Sequence, residues 1–271
     1  MYSSVQLAQK YTRYYLTASN GKGHGMHSPF VFDFILQVLN NKSKNVPPSG
    51  IEALRKELLK DRTVLEIEDL GAGSRVNPSK QKTISQVAKA ALKPKKYAQL
   101  LYRLVQHYQP QTVIELGTSL GLTTAYLAAA NPRARIVTIE GSKAIAQKAQ
   151  QNFKKLGLSN IQPLTGNFDD LLPTVIQTLS EAEGQPSIDL AYIDGNHRYQ
   201  PTLQYFEQML EKTTSHSILV FDDIHWSPEM EKAWEAVKSH PAVQYTIDVF
   251  FLGFVFFRKE FRVKQHFTIR F

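Results

Sequence analysis

The chain has 271 residues, 42% hydrophobic and 21% charged, enough for one large domain, or one domain with an extension, around a substantial core. It has no cysteine, which excludes disulfides, thiolate zinc sites, iron–sulfur clusters and a thiol nucleophile. The net charge of +8 is uneven: residues 1–110 hold 17 Lys/Arg against 7 Asp/Glu, and between Leu70 and Ile114 there are eight basic residues and no acidic one.

Those eight are Arg75, Lys80, Lys82, Lys89, Lys93, Lys95, Lys96 and Arg103. A solvated basic face explains them most simply. The functional alternative is an acidic acceptor, a phosphate or a nucleic acid, although no aromatic-interleaved RNA-binding motif accompanies the charge. No apolar run reaches membrane-spanning length; the longest, residues 249–257, is broken by Gly253. The first residues lack the apolar core of a secretory signal, which favours the cytoplasm.

Residues 1–20 are expected to form a helix with Val5, Leu7, Ala8, Tyr11, Tyr15 and Leu16 on a partly regular apolar face. Residues 21–30, with three glycines and Pro29, form a loop; His24 and His27 within it suit structural hydrogen bonds better than a metal. Ser28-Pro29 starts a helix that turns Phe30, Val31, Phe34, Ile35, Val38 and Leu39 inward. A polar linker over 40–50 leads to a helix over 51–60. The stretch 63–74 carries a glycine loop, Asp69-Leu-Gly-Ala-Gly-Ser74. The charged run before it, Glu66 and Glu68, is unlike a buried parallel strand, so it reads as a loop. Helices follow over 83–92 and 95–107.

From residue 111 strand and helix alternate. Strands are expected at 112–116, 135–139, 161–165, 188–193 and 217–221, with helices at 122–130, 142–157, 171–180, 201–210 and from 227. Ser142 serves as an N-cap and Gly157 as a stop. Residues 244–250 and 254–258 lie too close together to hold a crossover helix, so they pair as an antiparallel hairpin. The tail over 259–271 gives no readable pattern. The expected fold is α/β: a Rossmann-like, doubly wound, mostly parallel seven-stranded sheet with an antiparallel C-terminal hairpin. Residues 1–95 make a mainly helical extension or lid, and residues 96–271 the main domain.

Ligands of such sheets bind at the carboxyl ends of the strands. Acidic residues gather there: Glu115, Glu140, Asp169, Asp194, Asp222 and Asp223. The loop after the first strand of the alternation, Glu115-Leu-Gly117-Thr118-Ser119-Leu-Gly121, lacks the G-x-G-x-x-G spacing of a dinucleotide fold. With an acid ending the next strand, it resembles the class I S-adenosylmethionine-dependent methyltransferases, and the terminal hairpin agrees. Asp194-Gly-Asn-His197-Arg-Tyr, followed by Asp222-Asp223, is similar to the motifs of the macrocin and catechol O-methyltransferase-like small-molecule group. The resemblance covers residues 95–258.

That resemblance implies S-adenosylmethionine as cofactor. Gly117 and Gly121 would let the backbone approach its methionine end, with Glu115, Thr118 and Ser119 beside them. Glu140, next to Gly141, would bind both ribose hydroxyls. Phe168 and Asp169 would lie by the adenine and Asp194 by the sulfonium. For catalysis it implies either a Mg²⁺ site of Asp194, Asp222 and Asp223 or His197 as base beside Asp194. Asn196 departs from the macrocin pattern, which has Asp there. His225 and Trp226 are candidates for the acceptor pocket. The expected partner is a small-molecule acceptor, with acidic character and a homodimer both open. An RNA or other polyanion methyltransferase remains an alternative. So does a NAD-type oxidoreductase or a non-catalytic nucleotide-binding protein.

Overall fold

The computed structural model describes residues 1–41, 46–67, 81–181, 187–258 and 263–271. The glycine loop over 69–74, with Glu68, Arg75 and Lys80, lies outside them. The first part of the chain gives α1 (Ser4–Thr17), α2 (Pro29–Phe34, continued by a wide turn over Ile35–Leu39), α3 (Ser49–Leu58), β1 (Val64–Glu66), β2 (Gln81–Thr83), α4 (Ile84–Ala91) and α5 (Lys95–Tyr108). The alternating part gives β3 (Thr112–Leu116), α6 (Leu122–Ala130), β4 (Arg135–Glu140), α7 (Lys143–Lys155), β5 (Ile161–Thr165), α8 (Phe168–Glu181), β6 (Leu190–Ile193), α9 (Tyr199–Leu210), β7 (Ile218–Asp222) and α10 (Pro228–Ser239). Three strands close it: β8 (Tyr245–Asp248), β9 (Leu252–Phe256) and β10 (Gln265–Thr268).

Among the described residues the main sheet is mostly parallel and has eight strands, not seven. The extra one is β10, which lies in the tail that has no readable apolar alternation. Its side chains stay largely outside the core, so its place is fixed by backbone pairing with β8, in parallel, from Gln265 opposite Tyr245 to Thr268 opposite Asp248. The stretch around Val64 differs too: β1 pairs antiparallel with β2 as a separate two-stranded ribbon.

By contacts the chain forms two compact units, residues 1–40 with 172–271, and residues 41–171. In the second unit β4 lies between β3 and β5, all parallel. Every residue of β3 is buried, as a strand covered on both faces must be. The helices around it present apolar stripes: Leu100, Leu101, Leu104 and Val105 on α5, and Ile145, Ala149 and Phe153 on α7. Of the basic stretch, Lys93 and Arg103 are buried, and burial draws the Arg103 guanidinium down to about 10; Lys89, Lys95 and Lys96 are exposed.

In the first unit the strand order is β10-β8-β9-β7-β6, with β9 antiparallel to both neighbours. The hairpin follows from the short connection, where Val249 N–H donates to Leu252 O at 3.0 Å. The α2 segment buries Val31, Phe34, Ile35, Val38 and Leu39, and Phe34 meets Phe254 and Phe256 edge-on. Helix α1 uses a narrower stripe than its composition suggests. Leu7, Tyr11, Tyr14 and Ala18, at i, i+4, i+7 and i+11, pack on Phe250 and Phe251, while Val5, Tyr15 and Leu16 stay exposed. The Tyr14 hydroxyl donates to Ile269 O and accepts the Phe271 N–H, and Ser19 bridges Ile269, so the first helix is stitched to the last strand. Among the described residues no helix is long and apolar enough to cross a membrane.

Candidate active site

The second unit carries the loop between β3 and α6. Its backbone turns through three left-handed residues, Gly117 (φ 101°), Ser119 (φ 48°) and Gly121 (φ 78°). The Gly117 and Thr118 N–H groups both donate to Ile139 O, and the Asn152 side chain donates to Leu120 O at 2.9 Å. Gly121 is glycine for packing as well as for conformation: a Cβ there would run into the Phe153 ring of α7. Beneath the loop Glu115 is fully buried. Its Oε2 accepts from Thr124 Oγ1 at 2.5 Å and from Thr138 Oγ1 at 2.6 Å, and Thr138 Oγ1 meets Thr118 Oγ1 at 2.6 Å. Glu115 and Thr118 therefore face the core as the loop's foundation.

Glu140 ends β4 half-buried, as the strand-end pattern predicts. Ser119 N–H donates to its Oε2 at 2.8 Å and Ser142 N–H to its Oε1 at 2.9 Å. Ser142 occupies the N-cap of α7, yet its hydroxyl makes no capping bond. The Ser119 and Ser142 hydroxyls are both buried and find no hydrogen-bond partner among the described residues. Unpartnered polar atoms beside a held carboxylate are what a polar ligand would satisfy. Gly141 is half-buried next to this clamp. Phe168 is half-buried at the start of α8, and Asp169 is exposed with its N–H bonded to Asn167 Oδ1 at 3.2 Å.

In the first unit the loops after β6 and β7 hold the remaining candidates. Asp194 accepts from the Tyr192 hydroxyl at 2.9 Å, and its Oδ1 lies 3.5 Å from His197 Nε2; both side chains are 19% exposed. Asn196 (φ 63°) and His197 (φ 21°) are consecutive residues at positive φ. Such strain, about 1–3 kcal/mol per residue, persists where surrounding structure enforces it, often at working sites. Asn196 Nδ2 donates to Tyr205 OH at 3.1 Å, and its buried Oδ1 has no hydrogen-bond partner among the described residues. The His197 ring stands 5.4 Å from the Trp226 ring.

The metal expectation does not fit. Among the described residues no three His, Asp or Glu side chains are arranged to hold a metal ion. Asp194 is engaged by Tyr192 and His197, Asp222 is buried at the strand end, and Asp223 is turned through φ 52° with its N–H donated to Phe251 O at 2.7 Å.

His225 has a different place from the one its position suggests. Its Nδ1 meets Glu231 Oε1 at 3.0 Å, its Nε2 meets Asp248 Oδ2 at 2.8 Å, and its ring stacks on Phe250. Burial favours the neutral ring, but the hydrogen bonds and charges of Asp248 and Glu231 outweigh it, so its pKa is raised. Glu231 also accepts from the Tyr2 hydroxyl at 2.6 Å and from Lys10 at 3.0 Å. Burial opposes its ionisation too, and the bonds from Tyr2, Lys10 and His225 prevail, holding it below the ordinary carboxylate range. Sequence reasoning missed Glu231, Asp248, Tyr2 and Lys10, because nothing local marks a carboxylate that meets partners more than 200 positions away. It also missed Thr124, Thr138 and Asn152; a polar Asn on the otherwise apolar buried face of α7 was the one available signal.

Residues 114–224 match the family described as a methyltransferase domain. A catechol O-methyltransferase of Niastella koreensis is 32% identical over 131 residues, covering 48% of this chain and 55% of that protein. One from Mycobacterium tuberculosis is 28% identical over 118 residues, covering 43% and 49%. The chain thus spans about half the length of the curated relatives it matches. Among solved structures, the O-methyltransferase TomG of Streptomyces achromogenes, in complex with S-adenosylmethionine, is 20% identical with a TM-score of 0.54 over 62% of this chain and 82% of that one. The Podospora anserina methyltransferase PaMTH1, bound to S-adenosylhomocysteine, is 12% identical with a TM-score of 0.58 over 96% and 98%. Residues 114–224 thus match a methyltransferase domain, and the fold is shared with solved methyltransferases that bind S-adenosylmethionine or S-adenosylhomocysteine.

Proposed function

We propose that this chain is an S-adenosylmethionine-dependent O-methyltransferase acting on a hydroxyl group of a small molecule. The observation that carries the reading is the Glu140 clamp. Its two oxygens accept from the Ser119 and Ser142 N–H groups, and a carboxylate with two acceptor oxygens suits a ribose diol. The names of the two catechol O-methyltransferase relatives support a hydroxyl on a small molecule as the acceptor.

Bound S-adenosylmethionine supplies a sulfonium methyl carbon open to in-line displacement. Gly117 and the Ser119 N–H would hold its methionine end, Phe168 and Asp169 would lie by its adenine, and Asp194 by its sulfonium. His197 would take the proton of the acceptor hydroxyl as general base. With Nε2 toward Asp194, the base is Nδ1, and Asp194 stabilises the imidazolium that results.

Calorimetry with S-adenosylmethionine and S-adenosylhomocysteine tests the reading, with methyl transfer to 3,4-dihydroxybenzoate as the probe acceptor. His197→Gln should lower turnover by about 10²-fold or more with cofactor affinity unchanged. A chain that binds neither form of the cofactor would sink the reading.

A further inference from the structure

The loop over 223–227 is fastened from three sides. Toward the hairpin, Asp223 N–H donates to Phe251 O at 2.7 Å and His225 Nε2 meets Asp248 at 2.8 Å. Within the loop, Trp226 N–H closes on Asp223 O at 2.9 Å. Toward the first residues of the chain, Tyr2 N–H donates to Trp226 O at 3.2 Å. Glu231, on the first turns of α10, joins these ties. One oxygen takes the Tyr2 hydroxyl, both take Lys10 of α1, and the other meets His225. Two oxygens with about four lone pairs are filled by three segments of chain.

The same end of α10 reaches the other strand-end loop. Glu229 accepts the Tyr199 N–H at 3.0 Å, and Lys232 Nζ sits 4.4 Å over the Tyr199 ring. Between the two loops stands the Trp226–His197 ring contact. Helix α1 therefore reaches the residue read as the base through four links: Lys10 and Tyr2, Glu231, His225 with the Trp226 backbone, and the Trp226 ring.

We infer that Glu231 is a positioning residue for methyl transfer: it anchors α1 to the loop that holds Trp226 against His197, so the amino-terminal helix sets the geometry of the acceptor site. This rests on the reading of His197 as the proton acceptor. The contact chain is independent of the cofactor loop, so its loss should leave cofactor affinity unchanged.

Trp226 and Trp234 are the two tryptophans, so in a Trp234→Phe background the emission comes from Trp226. The test is acrylamide quenching of that emission in the background protein, in Glu231→Gln and Lys10→Met added to it, and in Tyr14→Phe added to it. Tyr14→Phe removes the α1 bond to Ile269 O without touching the Glu231 cluster. The quenching constant should rise at least about twofold in the Glu231 and Lys10 variants, as expected for side chains freed when a half-buried charged partner is removed. It should stay at the background value in Tyr14→Phe. No rise in Glu231→Gln, or an equal rise in Tyr14→Phe, overturns the inference and leaves α1 with a purely structural role. If Trp234→Phe does not fold, amide exchange in the tryptophan-intact variants decides. Faster exchange over 223–227 and 195–199 supports the role, and change confined to 1–17 overturns it. Calorimetry with S-adenosylmethionine tests the underlying reading separately, since wild-type chain that binds none loses that reading whatever Trp226 does.

Discussion

The Ser119 N–H donates to Glu140 Oε2 across 2.8 Å, so the loop after β3 is held by the acid that ends β4. The bond couples loop shape to the carboxylate proposed to bind the ribose diol. Glu140→Ala should remove both the clamp and the diol acceptors and weaken S-adenosylmethionine binding by about 10²-fold or more. Glu140→Gln keeps one acceptor oxygen and should cost about tenfold, in line with about 1.5–3 kcal/mol for a hydrogen bond to a charged group. Titration calorimetry on the two variants gives the ratio; equal affinities in all three proteins would remove Glu140 from the site.

Glu115 acts below the loop. Glu115→Leu leaves the Thr124 and Thr138 hydroxyls buried without their acceptor and should destabilise the fold by about 2–4 kcal/mol. Adding Thr124→Val, Thr138→Val and Thr118→Val removes the whole chain of orphaned hydroxyls and should restore part of that loss. Urea melts of the single and combined variants check the order. A combined variant less stable than the single one would mean that the hydroxyls have other roles.

Gly121 and Gly25 share a φ of 78°, but only Gly121 has the Phe153 ring where a Cβ would go, and nothing lies within 4 Å of that point at Gly25. Gly25→Ala should cost about 1–2 kcal/mol from the left-handed backbone alone. Gly121→Ala should cost a further 1–3 kcal/mol, about, from overpacking against α7. Thermal melts of the pair separate the two terms; equal shifts would show that Phe153 moves aside freely.

The His225 cluster predicts a pH window. His225 has a raised folded pKa, so its contribution is fully present below its ordinary value of 6.5 and is lost as pH rises through the folded value. Glu231 has a lowered folded pKa, so its contribution is present above the ordinary carboxylate value and is lost as pH falls through the folded one. The two overlap in the mildly acidic range. The stability gap between wild type and His225→Asn should be widest there, about 1–3 kcal/mol given that the cluster is about a quarter exposed, and should narrow toward both extremes. A gap that grows steadily with alkalinity would contradict the assignment.

The alternating half was legible because its signals are local. Buried runs such as 113–116, stop signals such as Gly157 and the i, i+3, i+4, i+7 stripe of α10 each report their own neighbourhood. Glu140 was legible for the same reason, since it ends a strand. The edge strand β10 was not, because exposed side chains carry no apolar alternation and its register is a property of β8. The α1 face was misjudged by including Val5 and Leu16, which no partner covers. Whether strand-end acids converge on a metal depends on loop φ values such as the 52° at Asp223, which residue type does not announce.

The Tyr14 bond to Ile269 joins residues 255 positions apart. Closing a loop of that span precedes any reward from the contact, and structures dominated by such distant pairings form slowly. Helix α1 can take its place only after β8, β9 and β10 exist to receive it. A circular permutant that links Phe271 to Met1 would make this contact a neighbour interaction and should refold faster.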